Sequence, residues 1–363
     1  MLKNKGKKVL LGMSGGVDSS VAAFLLKQDG YKVIGAFMKT WSGDVYGPAN
    51  EEDPTRPECG WRQERRDAMR VAAELDIPFV TFDFEDIYRR DVLEYLFSEY
   101  SENRTPNPDI LCNRNVKFKP FVEEAKKLGC DFVATGHYAQ IDHLETGSFM
   151  KHAVDQNKDQ TYFLWAIDKK VLSKVLFPIG HLSKPEVRKI ATEQGLATAA
   201  KKESMGICFV GDVDIRAFLQ SRLKQTPGHI KTTEGKIVGE HEGLPFYTIG
   251  QRHGLHVGGG LPYYVIGKVE ETNTLIVGSG VNPALFKDKL EAKEANWFTQ
   301  PEVGKTYTAR VRHRQPLFKA TMTSLQNDHF SLTFTEPVRA ITPGQSVVLY
   351  DGDLVIGGGV IVE

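Results

Sequence analysis

Short apolar runs alternate with amphipathic segments along the first third of the chain. The runs at Lys8–Leu11, Lys32–Phe37, Pro78–Phe82 and Asp131–Thr135 read as strands. Between and around them, Val17–Asp29, Gln63–Leu75, Ile87–Glu102 and Val116–Leu128 carry apolar residues at helical spacing. Alternating strands and helices predict an α/β fold with a doubly wound parallel sheet. Ligands of such sheets sit beyond the carboxyl ends of the strands. Thr40–Glu58 and residues 101–115 read as loops at that rim.

The pattern changes twice. From about Leu172 it becomes short helices, with a boundary at Pro178-Ile179-Gly180. Residues 211–280 are glycine-rich and irregular, with short strands at Tyr263–Lys268 and Leu275–Gly278. Beyond 281 the chain reads as all-β: Tyr307–Arg314, Lys319–Leu325, Phe330–Phe334, Ser346–Tyr350 and Leu354–Val362. Turns at Asn327-Asp328, Pro343-Gly344 and Asp351-Gly352-Asp353 suit a small barrel. The expected domains are therefore 1–210, a small central domain at 211–280, and a C-terminal β-barrel at 281–363.

The first strand–helix junction carries the strongest chemical signal, Gly12-Met13-Ser14-Gly15-Gly16-Val17-Asp18-Ser19. Its glycines let backbone N–H groups approach a ligand, its serines add hydroxyl donors, and the helix N-terminus adds a positive dipole end. The junction is an anion site suited to phosphate. It is neither a Walker loop nor a Gly-x-Gly-x-x-Gly turn.

Composition narrows the class. With 41% apolar and 25% charged residues the chain is an ordinary soluble protein, and no run is long enough to span a membrane. Its basic N-terminus runs straight into a strand, so the cytoplasm is the expected compartment. Formal net charge is zero, so a nucleic-acid partner must be held by local patches. Strand alternation over Thr306–Arg314 puts Arg310, Arg312 and Arg314 on one face, which on its own reads as a solvated face.

None of the four cysteines (Cys59, Cys112, Cys130, Cys208) lies in a Cys-x-x-Cys pair, so no metal site is expected. Cys112 ends Thr105-Pro106-Asn107-Pro108-Asp109-Ile110-Leu111-Cys112. Two prolines set a rigid extended loop there. Asp109 is the nearest candidate general base, and Arg114 and Lys117 follow closely enough to favour a thiolate. Burial beneath a loop is the alternative for Cys112. Cys208, in Gly206-Ile207-Cys208-Phe209, reads on its own as a buried strand cysteine. Cys59 precedes a helix and Cys130 starts a strand.

The phosphate loop resembles the pyrophosphate loop of the N-type ATP pyrophosphatases. Thr-Pro-Asn-Pro-Asp-x-x-Cys-Asn and Gly-Ile-Cys-Phe resemble the catalytic segments of the tRNA-specific 2-thiouridylases. So do Gly136-His137-Tyr138, Lys158-Asp159-Gln160-Thr161-Tyr162-Phe163-Leu164 and Tyr247-Thr248-Ile249-Gly250-Gln251-Arg252. The resemblance covers essentially the whole chain; Met205 departs from it, standing where many members have Thr.

The resemblance implies an adenine nucleotide α-hydrolase-like sheet that binds ATP with Mg²⁺ through Gly12–Ser19, Met38 and Gly136. It implies adenylation of the 2-oxygen of a wobble uridine and delivery of sulfur from a Cys208 persulfide. Cys112 assists, through a transient Cys112–Cys208 disulfide or as a nucleophile. Asn107, Pro108 and Asp109 are implied at the target base, and His137, Lys158, Asp159, Gln160, His313, Arg314 and Gln345 elsewhere on the tRNA. The implied partners are the tRNAs for Lys, Glu and Gln and a cysteine desulfurase or sulfur-relay protein. Competing readings are another adenylating synthetase with the same loop, a sulfurtransferase for a different tRNA position, and a non-catalytic tRNA-binding module.

Overall fold

The computed structural model describes residues 4–42, 60–202, 215–258 and 262–362. Cys59, Met205, Cys208 and most of the Thr40–Glu58 segment lie outside the described residues. The chain forms two compact units: Met1–Leu93 with Pro108–Val213 and Asp353–Val355, and Glu94–Asn107 with Asp214–Gly352 and Ile356–Glu363.

The first unit is built on strands β1 (Lys8–Gly12), β2 (Lys32–Lys39), β3 (Phe79–Asp83) and β4 (Phe132–Thr135). A hairpin of β5 (Gln140–Leu144) and β6 (Gly147–Lys151) and a short β7 (Val175–Leu176) follow. The sheet order is β3-β2-β1-β4-β7, and its pairs are all parallel. The chain moves outward to β2 and β3, then returns to the other side of β1 at β4. The rim between Gly12 and Thr135 is thus the switch point where open α/β sheets bind ligands.

Helix α1 (Val17–Gln28) buries Val17, Val21, Ala22, Ala23 and Leu26. The two alanines let it lie close to the sheet, in one core with Val9, Leu11 and Phe37. Its end falls at Gly30, in the left-handed region at φ +89°. Helix α2 (Gly60–Glu74) buries Ala68, Val71 and Ala72, a helical stripe. Next come α3 (Glu85–Tyr88), a π-turn at Arg89–Leu93 and α4 (Glu94–Ser101). They are followed by α5 (Pro108–Cys112), a π-turn at Asn113–Lys117, α6 (Pro120–Lys127) and α7 (Lys184–Glu193). A Ser183–Glu186 capping box and a proline in the first turn start α7.

The second unit contains α4, α8 (Ile215–Gln220) and a mixed sheet. Its strands are β8 (Gly228–Thr232), β9 (Ile237–His241), β10 (Tyr263–Val269) and β11 (Thr274–Ser279), in the order β10-β11-β8-β9. Six further strands follow: β12 (Phe286–Trp297), β13 (Thr306–Arg310), β14 (Phe318–Gln326), β15 (His329–Arg339), β16 (Ser346–Asp351) and β17 (Leu354–Ile361). Because β12 pairs with both β15 and β17, these antiparallel strands close into a barrel. Leu290, Tyr307, Met322, Leu332, Val347 and Ile356 help fill it. No helix among the described residues is long and apolar enough to cross a membrane.

Three expectations are corrected. The stretch read as a loop over 101–115 contains α5, because Pro108 sits at a helix start, where its missing N–H is harmless. The following helix begins at Pro120 rather than Val116, after a π-turn. The strand read as Tyr307–Arg314 stops at Arg310. Beyond it the chain bends, and Arg314 has φ +64°. Arg310 is buried, Arg312 half-buried and Arg314 exposed, so the three do not form one strand face. The β5–β6 hairpin and strands β7, β8, β9 and β12 were not expected from the pattern.

Candidate functional site

Strand β1 ends at Gly12, and the chain crosses the rim through Met13–Gly16 before entering α1. Gly15 has φ +72°, and a Cβ there would fall 2.2 Å from the Glu64 carbonyl oxygen on α2. Both the conformation and the contact require glycine. The Ser14 amide donates to Ser19 Oγ at 3.2 Å, while the hydroxyls of Ser19 and Ser20 donate to the Gly16 carbonyl at 3.1 and 2.9 Å. These bonds curl the loop around the start of α1. Gly16 is the N-cap, and no side chain caps the helix. The first N–H groups of a helix have no intrahelical acceptor, so this end is built to receive an anion.

Three cationic or polar groups brace the loop from later in the chain. Lys184 Nζ, at the start of α7, lies 2.7 and 2.9 Å from the two Asp18 carboxylate oxygens. Tyr138 Oη donates to Asp18 Oδ1 at 2.9 Å. Lys201 Nζ donates to the Gly15 carbonyl at 3.0 Å and pairs with Asp67 at 2.6 Å. Burial pushes the nearby Glu64 carboxyl above its ordinary range, and Lys201 opposes that shift. The sequence reading did not find Lys184 or Lys201. Their partners lie well over a hundred residues away, and no local motif signals them.

The other expected nucleotide residues border the same rim. Met38, buried near the end of β2, approaches Gly12 so closely that a Cβ there would meet its Cε at 2.9 Å. Gly136 follows β4. A Cβ on it would lie 2.8 Å from the Ser19 nitrogen, so this glycine admits the first turn of α1.

His137 is buried between Phe118 and Phe177. Its Nδ1 is 2.6 Å from the Thr135 hydroxyl, and its Nε2 is 3.4 Å from Lys117 Nζ. Burial, with the adjacent Lys117 charge, holds its pKa well below the ordinary histidine value. Asp159 is also buried. It accepts from the Ala153 amide at 2.8 Å and the Thr161 hydroxyl at 2.5 Å, and faces His152 at 3.2 Å. Burial opposes its ionisation, yet these partners hold its carboxyl below the ordinary range. Gln160 is half-buried and accepts from the Tyr138 amide at 2.9 Å. Lys158 is half-buried on the same turn.

Asp109 and Cys112 are three residues apart on α5, a spacing that puts them on one helix face. Cys112 is fully buried, and Asp109 is half-buried. Asn113, just beyond, anchors this turn by donating to the Phe163 carbonyl at 2.9 Å. Cys130 is partly buried, and that burial raises its thiol pKa.

In the second unit, His313 is half-buried and Arg314 exposed. Gln345 is buried, and its Nε2 donates to the Thr105 and Pro106 carbonyls at 2.7 and 3.3 Å.

The tRNA-specific 2-thiouridylase MnmA of Shouchella clausii (strain KSM-K16) is 48% identical to this chain over 365 residues, covering 99% of this chain and 98% of that protein. The chain belongs to the tRNA-specific 2-thiouridylase family. The relative from Lysinibacillus sphaericus (strain C3-41) is 47% identical over 361 residues, covering 98% and 94% of the two chains. Family models match in series: a tRNA methyl transferase HUP domain at residues 7–212, a tRNA methyl transferase PRC-barrel domain at 216–279 and an aminomethyltransferase β-barrel domain at 287–361. Among solved structures, a 4-thiouridine synthetase–RNA complex with bound ATP matches 60% of this chain and 50% of its own. Identity is 18% and the TM-score 0.33, too low to carry an argument.

Proposed function

We propose that this protein replaces the 2-oxygen of the wobble uridine of tRNA with sulfur, at the expense of ATP. The observation that carries the reading is the uncapped N-terminus of α1 at the sheet's switch point, in a chain nearly half identical to 2-thiouridylases along its length. The phosphates of ATP would meet the N–H groups of Gly15–Ser19, with the adenine toward Met38 and Gly136. Mg²⁺ usually binds through substrate phosphates and one or two carboxylates. Asp18, held in place by Lys184 and Tyr138, would supply one such carboxylate.

A carbonyl oxygen is a poor leaving group, and adenylation makes it a good one. The uridine O2 attacks the α-phosphorus, and pyrophosphate leaves. The terminal sulfur of a Cys208 persulfide then attacks C2, and AMP departs with the old oxygen. Attack of the Cys112 thiolate on the Cys208 sulfur frees the new thiocarbonyl and leaves a Cys112–Cys208 disulfide, which an external thiol must reduce. Asp109, three residues before Cys112 on α5, is the proposed proton acceptor. The target base must first leave its stack, and Asn107, Pro108 and Asp109 are proposed to contact it. His137, Lys158, Asp159, Gln160, His313, Arg314 and Gln345 are the proposed tRNA-binding set. The buried ones, His137, Asp159 and Gln345, would act by shaping the surface rather than by lying on it. The tRNAs for Lys, Glu and Gln are the proposed substrates, and a cysteine desulfurase or relay protein the sulfur source. The proposed domains are 1–210 for ATP and sulfur chemistry, 211–280 as a central module and 281–363 for tRNA, in the cytoplasm.

The test incubates the protein with ATP, unmodified tRNA and a persulfide donor, then measures AMP and wobble 2-thiouridine by mass spectrometry. One AMP per thiouridine is expected. The Asp18→Ala/Ser19→Ala double variant should lose both products while still binding tRNA. AMP without thiouridine would point to a different adenylating enzyme, and AMP release unchanged in the double variant would remove the loop from the reaction.

A further inference from the structure

The segment Arg104–Asn107, which leads into α5, has no regular secondary structure, and no strand ladder supports it. Its polar groups are nevertheless fixed. Lys268 on β10 is half-buried, and its Nζ donates to the Asn103 carbonyl at 2.7 Å. The Thr105 and Thr248 hydroxyls meet at 3.2 Å. Thr248 is itself held, its amide donating to Gln251 Oε1 at 2.9 Å. Gln345 Nε2 donates to the Thr105 and Pro106 carbonyls, and the Thr105 amide donates to the Pro343 carbonyl at 3.0 Å. The carbonyls of Asn103, Thr105 and Pro106 are therefore each bound by a side chain from a distant element, where a surface loop would leave them to water. Asn103 is also held in the left-handed region, at φ +59°.

Side chains as long as lysine lose much rotamer freedom when fixed. Two such long side chains, Lys268 and Gln345, together with Thr248, converge on this irregular segment and mark it as needing a single conformation. We infer that Thr248 and Lys268 are positioning residues for Asn103–Asn107, the segment that presents Asn107 to the target base. The Tyr247–Arg252 motif thereby gains a role: its Thr248 serves the base-presenting segment, and its Gln251 orients Thr248. The inference rests on the proposed function for the identity of the base, but the clamp itself is measurable without it.

The test compares the wild-type protein with Thr248→Val, Thr248→Ser and Lys268→Met. Hydrogen–deuterium exchange across Asn103–Asn107 should accelerate in Thr248→Val and Lys268→Met and stay at the wild-type rate in Thr248→Ser. The kcat for tRNA thiolation should fall about tenfold or more in the first two variants, because small misplacements of a reacting group slow chemistry. KM for tRNA and the unfolding midpoint should hold, and Thr248→Ser should turn over normally. Unchanged exchange in Thr248→Val and Lys268→Met would overturn the clamp. Faster exchange with unchanged kcat would overturn the positioning role, as would a loss confined to KM or a Thr248→Ser variant as slow as Thr248→Val. If one variant fails to fold, the other two decide. A wild-type protein that makes no thiouridine would defeat the proposed function, while the exchange rates would still report on the clamp.

Discussion

A methyl group on Gly136 would sit 2.8 Å from the Ser19 nitrogen and 2.9 Å from the Asp18 carbonyl carbon. Both are backbone atoms of the first turn of α1, so no rotamer change relieves the clash. Gly136→Ala should therefore push α1 off the sheet, destabilise the protein by about 1–3 kcal/mol and depress ATP-dependent AMP release more than tRNA binding. Thermal unfolding and an AMP assay measure the two effects. The sequence pointed to this glycine through a motif and suggested a nucleotide as the reason. The fold supplies another, the helix that presents the phosphate-loop amides. His137 is similar: its motif marked it, but only packing reveals that it is buried and held neutral. Its native pKa lies below the ordinary 6.5, chiefly through burial and then through Lys117. The unfolded chain therefore binds a proton that the native state refuses as pH falls through 6.5. Stability tied to this residue is full above that pH and declines below it. Wild-type protein should lose unfolding midpoint more steeply than His137→Gln as pH drops from neutral into the acid range. Parallel slopes would show that His137 does not titrate on unfolding.

At the scale of elements, periodicity located four of the five parallel strands (β1–β4) and α1 and α2 to within a few residues, because each buries a regular apolar stripe. It missed the β5–β6 hairpin and β12. Gln140–Leu144 is mostly polar, and β12 alternates charged residues with only Leu290 and Ala292 well buried. Their pairing comes from partners distant in sequence. Strict alternation also failed at β13, where the ladder ends and the chain turns through Arg314 at positive φ. The three arginines consequently differ in what they can do. Exposed Arg314 is free to meet a phosphate. Arg314→Ala should weaken tRNA binding and reduce the slope of log affinity against log salt by about one. Arg310 is 7% exposed. Arg310→Ala should leave the salt slope unchanged and lower the unfolding temperature instead, because the aliphatic stem of a buried arginine packs as well as its charge. Titrating tRNA at several salt concentrations separates the two. Equal slope changes in both variants would restore the single basic face.

For the whole molecule, the order of motifs carried the family, and the three-part architecture followed from it. What the chain's pattern alone left open was the chemistry of its cysteines. Local sequence read Cys208 as a buried strand residue and left Cys112 open between a reactive thiolate and a cysteine packed beneath a loop; the structure finds Cys112 fully buried on α5. A nucleophile kept from solvent is protected from oxidation, but it must be exposed to its sulfur partner during turnover. That requirement makes the cysteine series the sharpest test of the proposed mechanism. Serine preserves size while removing thiolate chemistry. Cys208→Ser should bind tRNA and release pyrophosphate, with the AMP retained on the uridine, yet transfer no labelled sulfur from a persulfide donor. Cys112→Ser should release AMP and then stall, with the tRNA joined to Cys208 through the transferred sulfur. Cys130→Ser should remain near the wild-type rate, since burial raises the Cys130 pKa and disfavours its thiolate. Cys59→Ser should do the same. After one turnover without added reductant, peptide mapping should find the Cys112–Cys208 disulfide in the wild type and in neither single variant of that pair. Normal sulfur transfer by Cys208→Ser would end the persulfide mechanism. Normal turnover by Cys112→Ser, with no disulfide in the wild type, would leave Cys208 as carrier and return Cys112 to a packing residue beneath its loop.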